Sequence, residues 1–333
     1  MPETLQDIVK KLLANHKGLL AADESEKTAG KRLATINLEN TPETRRQYRE
    51  LFFTASGIET GISGVILHDE TLGQKANDGT PFVQLLQQKG IVPGIKVDAG
   101  AHSIPDSPKE KMTAGLDGLD ARLRAYYQQG ARFAKWRAVI TIGEGIPSEH
   151  CLVENAKALA EYAMLCQKNG LVPVIEPEVL IDGNHDLARS EEVTTQTLKT
   201  VFEYLQARDV DLTGVILKSS MVISGNECPT QATPEQIAEA TIRCFKNSVP
   251  KDLPGIVFLS GGQSPEQATV NLNAIAKLNP GPWTISFSYA RALQGPALKI
   301  WKGKPENIPA AQAEFIKRLQ ANVAANQGEY GGE

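Results

Sequence analysis

No apolar run in the 333 residues approaches the ~20 needed to cross a bilayer, and the amino-terminal stretch MPETLQDIVKKLLANHKG lacks the apolar core of a signal peptide. Membrane insertion and export are not expected, and the sequence reads as cytoplasmic. Cysteine is scarce. Cys151, Cys166, Cys228 and Cys244 form neither a CxxC pair nor a disulfide framework, which favours a reducing compartment. Positive charge is in deficit: 35 Lys and Arg stand against 39 Asp and Glu, for a net −4, so the chain lacks the basic face that nucleic acid demands. The five histidines, His16, His68, His102, His150 and His185, show no HxH or HExxH pairing. A zinc mechanism lacks its expected ligands, and no metal or other cofactor is expected. Nor does any stretch concentrate Pro, Gly or Ser into a long linker, so residues 1–333 are expected to form one domain.

What the chain does hold is an ordinary globular balance, 41% apolar and 22% charged, arranged in a regular alternation. Eight short apolar or β-branched runs stand out: GLLAAD (18–23), ISGVILH (62–68), VPGIKVD (92–98), RFAKWR (132–137), VPVIEPEV (172–179), GVILK (214–218), GIVFLSGG (255–262) and WTISFS (283–288). Longer stretches of helical period separate them. Their ends are readable. Thr233-Pro234-Glu235-Gln236 and Ser264-Pro265-Glu266-Gln267 each place a capping hydroxyl, a first-turn proline and a third-position glutamine. Thr41-Pro42 opens another helix, and Asn169-Gly170 closes the one that begins near Ser148. Run ends near residues 23, 68, 96, 135, 176, 218, 260 and 288 are spaced by about one βα unit each, and eight such units make a TIM (β/α)8 barrel. Residues after Pro305, up to about Asn326, would add an extra C-terminal helix. An open doubly wound sheet is the alternative.

In such a barrel, chemistry sits at the C-terminal ends of the strands. Those positions carry Asp23, His68, Lys96 with Asp98, Lys135 with Arg137, Glu176 with Glu178, Lys218, Ser260 and Ser288. An acidic chain thus places four cations, Lys96, Lys135, Arg137 and Lys218, where one small anion could meet them. A phosphorylated substrate fits. A lysine between apolar walls and beside another ammonium is pushed toward its free amine, and a free amine attacks carbonyls to give an iminium, an electron sink. The bland alternative for Lys218 is a strand-end lysine reaching solvent. Glu176 and Glu178, two apart, face the same side of a strand. If that side is the barrel interior, one is expected protonated beside its ionised neighbour. Asp23 adds a third carboxylate, or caps a helix. SGGQS (260–264) presents backbone amides ahead of a capped helix, and SYAR (288–291) adds a hydroxyl and a guanidinium, where this fold binds phosphate. A simple glycine turn is the alternative. Lys31-Arg32 reads as a second anion clamp or as a solvated helix face.

Taken together, LLAADES, SGVILHDET, GIKVD, FAKWR, VPVIEPE, ILKSSM, FLSGGQS and FSYARAL resemble, in the same order, the motifs of class I fructose-1,6-bisphosphate aldolase. The resemblance covers roughly residues 5–330. It implies reversible, metal-independent cleavage of fructose 1,6-bisphosphate to dihydroxyacetone phosphate and glyceraldehyde 3-phosphate, in glycolysis, gluconeogenesis or the Calvin cycle. It also implies a homotetramer. Residue by residue, it makes Lys218 the Schiff-base lysine, Glu176 the proton acceptor and donor with Glu178 in support, and Lys135 a charge at the carbinolamine. Asp23 becomes the base for the C4 hydroxyl. Ser260, Gly261, Gly262, Ser288 and Arg291 would hold the phosphate nearest the ketone, with Arg32, Lys96 and Arg137 toward the other end. Two differences from the family pattern fall at Ala290, often glycine, and Thr28, often serine. Many members also continue past the equivalent of QGEYGGE into a tail ending in tyrosine, so an altered enamine protonation step is expected here. Other readings are a Schiff-base aldolase preferring sedoheptulose bisphosphate or fructose 1-phosphate, and a sugar-phosphate-binding or assembly protein.

Overall fold

The computed structural model describes residues 3–105, 107–278 and 281–332. Ten strands run through these residues in chain order: β1 (Gly18–Ala22), β2 (Ile62–Leu67), β3 (Val92–Lys96), β4 (Ala101–Ile104), β5 (Ser107–Thr113), β6 (Phe133–Ile140), β7 (Val172–Val179), β8 (Ile216–Ser219), β9 (Gly255–Phe258) and β10 (Thr284–Tyr289). Eight of them close into a parallel barrel in the order β1-β2-β3-β6-β7-β8-β9-β10, with β10 pairing back onto β1 through Leu19↔Ser288 and Leu20↔Tyr289. This is the TIM barrel, and each of the eight runs supplies one of its strands. The other two strands, β4 and β5, form an antiparallel hairpin over β6 that the run pattern does not announce.

Strand alternation divides the apolar residues into two cores. One parity of each strand, including Leu20, Val65, Ile95, Trp136, Ile175, Leu217 and Phe258, packs outward against the helices. The other parity, with Leu19, Ala21, Ile66, Phe133, Val172, Val174, Ile216 and Val257, fills the barrel itself. The helix Leu5–Leu12 closes the N-terminal end of the barrel with Ile8, Val9 and Leu12. Small residues admit this plug: Gly64 faces Leu12, Gly255 faces Leu13, and Ser63 Oγ donates to the Leu12 carbonyl at 2.5 Å.

The capping signals work as their residue types require. Thr233 and Ser264 accept from the backbone N–H of Gln236 and Gln267, and each glutamine accepts from its cap's own N–H. The C-terminal helix spans Ile308–Asn326. It lies across Pro42–Phe53 and Pro265–Lys277, with Phe315 edge-on to Phe52 at 5.0 Å and the buried Arg318 donating to Thr269 Oγ1 at 2.6 Å. Because Leu12 is fully buried at the end of the barrel away from the charged strand ends, Leu12→Ala is expected to lower stability by about 2–5 kcal/mol. Urea titration checks this, with turnover per folded molecule expected to stay within about twofold.

Candidate active site

Within the barrel, the inward parity of most strands passes from apolar or small residues to polar or charged ones, whereas β9 stays apolar from Val257 to Leu259. Leu19 and Ala21 lead to Asp23, Ile66 to His68, Gly94 to Lys96 and Asp98, and Phe133 to Lys135 and Arg137. Val174 leads to Glu176 and Glu178, Ile216 to Lys218, and Ser286 to Ser288. The residues that fill the barrel and those that charge its mouth thus belong to the same faces of the same strands.

The charges meet at one carboxylate. Lys218 Nζ lies 2.9 Å from Glu176 Oε1, and Lys135 Nζ lies 3.2 Å from Glu176 Oε2 and 2.7 Å from Asp23 Oδ2. Side-chain exposure is about 4–5% for Lys135, Glu176 and Lys218, and 12% for Asp23. The 3.2 Å contact is not aligned as a hydrogen bond, which leaves Glu176 Oε2 with a free lone pair inside the mouth. Lys218 is therefore not walled by apolar groups alone, as its strand suggested. It has a carboxylate partner and, across that partner, a second ammonium.

Burial alone would raise the Glu176 carboxyl, but Lys135, Lys218 and Arg137 outweigh it and hold the group below its ordinary value. For Asp23, burial is likewise overcome by Lys135, Lys218 and Lys96, and the carboxyl sits well below the usual range. Burial would lower the Lys135 ammonium, yet Asp23, Glu176 and Asp98 raise it above its ordinary value. The proton-sharing pair expected of Glu176 and Glu178 is not what forms. Glu176 belongs to the two lysines, and Glu178 pairs with the Nε of Arg137. A lysine within hydrogen-bond reach of a carboxylate, flanked by a fixed cation and a second carboxylate, can form a carbinolamine, dehydrate it and remove a nearby hydroxyl proton.

Around this centre stand groups suited to anions. Lys96 Nζ is 2.6 Å from Asp98 Oδ1, and Arg137, paired with Glu178 through its Nε, keeps 42% of its side chain exposed. β9 and β10 are neighbours, so Ser260 and Ser288 leave adjacent strands. Ser288 Oγ is buried without a partner, and Ser260 is nearly buried. Gly262 has φ +77°, a left-handed turn, while a side chain at Gly261 would meet Glu178 Oε1 at 2.7 Å. Ala290 caps the helix Arg291–Trp301 with φ −107°, outside the left-handed region, so its methyl group is tolerated where many family members have glycine. Arg291 is exposed.

Arg32 does not lie on a solvated helix face. Its Nη1 donates to Glu24, to Gln294 Oε1 at 2.6 Å and to the Tyr48 hydroxyl at 3.1 Å. Lys31 is exposed on the helix face. Burial disfavours the Arg32 charge, and Arg49 and Arg291 lie close enough to add to that effect. Arg49 is wholly buried and pairs with the same Glu24, donating also to its carbonyl at 3.1 Å. Sequence reading missed Glu24, Tyr48, Arg49 and Gln294. Only an arginine on the apolar side of a helix, next to Tyr48 and Leu51, hinted at them.

Among the described residues no group of three or more His, Cys, Asp or Glu side chains gathers as metal ligands, and no helix is long and apolar enough to cross a membrane. A family model described as fructose-bisphosphate aldolase class-I matches residues 4–333. A probable fructose-bisphosphate aldolase class 1 of Xanthomonas campestris is 51% identical over 331 residues, covering 99% of each chain. The cytosolic fructose-bisphosphate aldolase 5 of Arabidopsis thaliana is 53% identical over 317 residues, 95% of this chain and 88% of the relative. Among solved structures, fructose-bisphosphate aldolase from Plasmodium falciparum, in complex with TRAP and a small molecule inhibitor, superposes with a TM-score of 0.97. It is 47% identical, with 99% of this chain and 95% of that one covered.

The depressed carboxyls link the site to stability. Glu176 titrates near 4.5 when unfolded and lower when folded, so its contribution is full above about pH 4.5 and is lost as pH falls through the folded value. Lys135 has the opposite sign: its contribution holds below 10.5 and is lost only above that. The stability gap between the wild-type protein and Glu176→Gln is therefore expected to shrink from pH 7 to pH 3.5. Denaturant titration at the two values reads it, and a gap that widens on acidification contradicts the assignment.

Proposed function

The chain belongs to the class I fructose-bisphosphate aldolase family, and from that premise we propose that it cleaves fructose 1,6-bisphosphate reversibly through an imine on Lys218. The observation that carries this reading is the buried contact of Lys218 with Glu176, bridged by Lys135 to Asp23. Across the 2.9 Å contact, the Lys218 ammonium passes a proton to Glu176, leaving a free amine and a carboxylic acid side by side. The amine attacks the ketone carbon C2. Glu176 then returns its proton to the carbinolamine hydroxyl, which leaves as water, and Lys135 offsets the negative charge that develops.

The iminium draws in electrons. Asp23, kept ionised by its lysines, takes the proton from the C4 hydroxyl as the C3–C4 bond breaks. Glyceraldehyde 3-phosphate departs and an enamine stays on Lys218. Protonation at C3 and hydrolysis of the resulting iminium release dihydroxyacetone phosphate and restore the amine. Glu178 supports the Glu176 side through Arg137. Ser260, Gly261, Gly262, Ser288 and Arg291 hold the phosphate nearest the ketone. Lys96 and Arg137 face the distal phosphate. Arg32 donates to Gln294 on the helix that Arg291 begins, so we place it on the ketone side of the mouth rather than at the distal end.

The full chain acts as one catalytic unit, in glycolysis and, in reverse, gluconeogenesis. Relatives named cytosolic or cytoplasmic support a cytosolic location, and a homotetramer is the assembly we propose. Light scattering should give four times the chain mass.

Borohydride added with dihydroxyacetone phosphate is expected to leave a stable adduct on Lys218, located by peptide mass mapping, and none in Lys218→Met. A folded protein that binds the ligand without forming an adduct sinks the imine route. Asp23→Asn should retain the adduct yet lose about 10²–10⁴-fold in kcat for cleavage, and a chelator should leave the wild-type rate unchanged. Relative kcat/KM for fructose 1,6-bisphosphate, fructose 1-phosphate and sedoheptulose bisphosphate ranks the substrates.

A further inference from the structure

Asp98 takes no part in the steps above, yet it is a carboxylate nine-tenths buried beside them. It stands two residues beyond Lys96, on the same inward parity, just past the end of β3. Its carboxylate joins Lys96 and β6 to the base of the hairpin. Oδ1 accepts from Lys96 Nζ at 2.6 Å and from the Gly100 N–H at 3.2 Å, and Oδ2 accepts from the Arg137 N–H at 3.3 Å. The Asp98 carbonyl accepts from Lys96 Nζ as well, at 2.6 Å. One residue therefore grips the lysine twice and anchors itself to the backbone of β6 beside Lys135 and Arg137.

The anchorage is rigid. Val97 N–H donates to the Lys135 carbonyl at 3.1 Å, and Arg122 Nη1 holds the Val97 carbonyl at 3.0 Å. On the far side, Ala99 and Ala114 N–H groups close the base of the hairpin onto Ala114 and Gly100 carbonyls. Gly115, at φ +127°, packs so tightly that a side chain there would meet the Ala99 nitrogen at 2.8 Å. An ammonium has three N–H donors. With two directed at Asp98, Lys96 keeps one for a ligand, and 17% of its side chain stays exposed.

We infer that Asp98 is a positioning residue for substrate selection: by fixing Lys96 with a single free donor at the distal edge of the mouth, it favours a sugar bisphosphate over a monophosphate lacking the distal phosphate. This rests on the proposed place of Lys96 at the distal phosphate. A free lysine would search several rotamers and order only on binding. A lysine already held has lost that freedom. The alternative physics runs the other way, because Asp98 also competes with the phosphate for the ammonium. The double grip and the backbone anchorage favour positioning over competition.

The measurement is the ratio of kcat/KM for fructose 1,6-bisphosphate to that for fructose 1-phosphate. Asp98→Asn keeps an oxygen acceptor for the backbone amides but removes the charge, and it is expected to lower the ratio about tenfold, mainly through KM for the bisphosphate. Asp98→Glu keeps the charge and displaces it by one methylene, and it too is expected to lower the ratio. A purely electrostatic role would leave Asp98→Glu unaltered. An unchanged or higher ratio in Asp98→Asn, with Lys96→Met lowering it, overturns the inference while leaving the distal assignment of Lys96 intact. If Lys96→Met leaves the ratio unaltered, that assignment fails and the inference with it. Failure of both Asp98 variants to fold makes Asp98 structural and overturns the inference. Borohydride trapping on Lys218 in the wild-type protein reports separately on the imine reading.

Discussion

Glu176 serves two ammonium groups in a space nearly closed to water, and the arrangement of the barrel follows from what that requires. An unpaired lysine buried there would be strongly destabilising, because lost hydration is repaid only by close opposite charge and good hydrogen bonds. Lys135 and Lys218 come from the strands on either side of β7, so both can reach one carboxylate between them. Asp23 arrives from β1, which β2 and β3 separate from β6 on the shorter way round. Its contact with Lys135 therefore crosses the interior rather than running along the sheet. Only a closed barrel makes that crossing short. The ionised carboxyls and the ammonium that result are the groups an imine mechanism draws upon.

Two further layers hold the centre in register. On one side Glu24, next in sequence to Asp23, is clasped by Arg32 and Arg49, and Gln294 links Arg32 to the Ala21 carbonyl of β1. Gln294 sits one turn along the helix that Arg291 begins, so the end of β1 and the phosphate-side helix are tied through side chains. On the other side Asp98 and the hairpin brace Lys96 and the middle of β6 at Arg137. Below both, the apolar plug from the helix Leu5–Leu12 keeps the N-terminal end filled. Apolar burial is non-directional and holds the strands together. The hydrogen-bonded charges above it are directional and set the geometry of the mouth.

Much of this was legible in the chain. The eight strands announced themselves because barrel strands are buried on both faces and read as continuous apolar runs. The capped helices between them showed the hydroxyl, proline and glutamine that orphan N–H groups select. Lys218, Lys135 and Glu176 could be picked out because a charge within or at the end of a core strand breaks the apolar pattern around it. The hairpin Ala101–Thr113 could not, since its exposed strands carry little apolar alternation. Arg49 and Gln294 escaped notice because polar residues on helices are usually solvated, and the apolar neighbours of Arg49 do not reveal a buried Glu24 as its partner. The closeness of Glu176 and Glu178 on one strand misled in detail: period-2 spacing placed both inward, but not which cation each would meet.

The sequence by itself determined the eight barrel strands, the capped helices and the identity of the charged residues on the inward strand faces. Those depend on periodicity, capping and the order of residues along one chain. Tertiary structure decided the pairings: Glu176 with two lysines, Glu178 with Arg137, Asp23 with Lys135 across the interior, Asp98 with Lys96. Strand stagger and closure set distances between residues far apart in the chain. The charge state of a buried group depends on those distances, because attraction and desolvation in a dry interior both change steeply over a few ångströms.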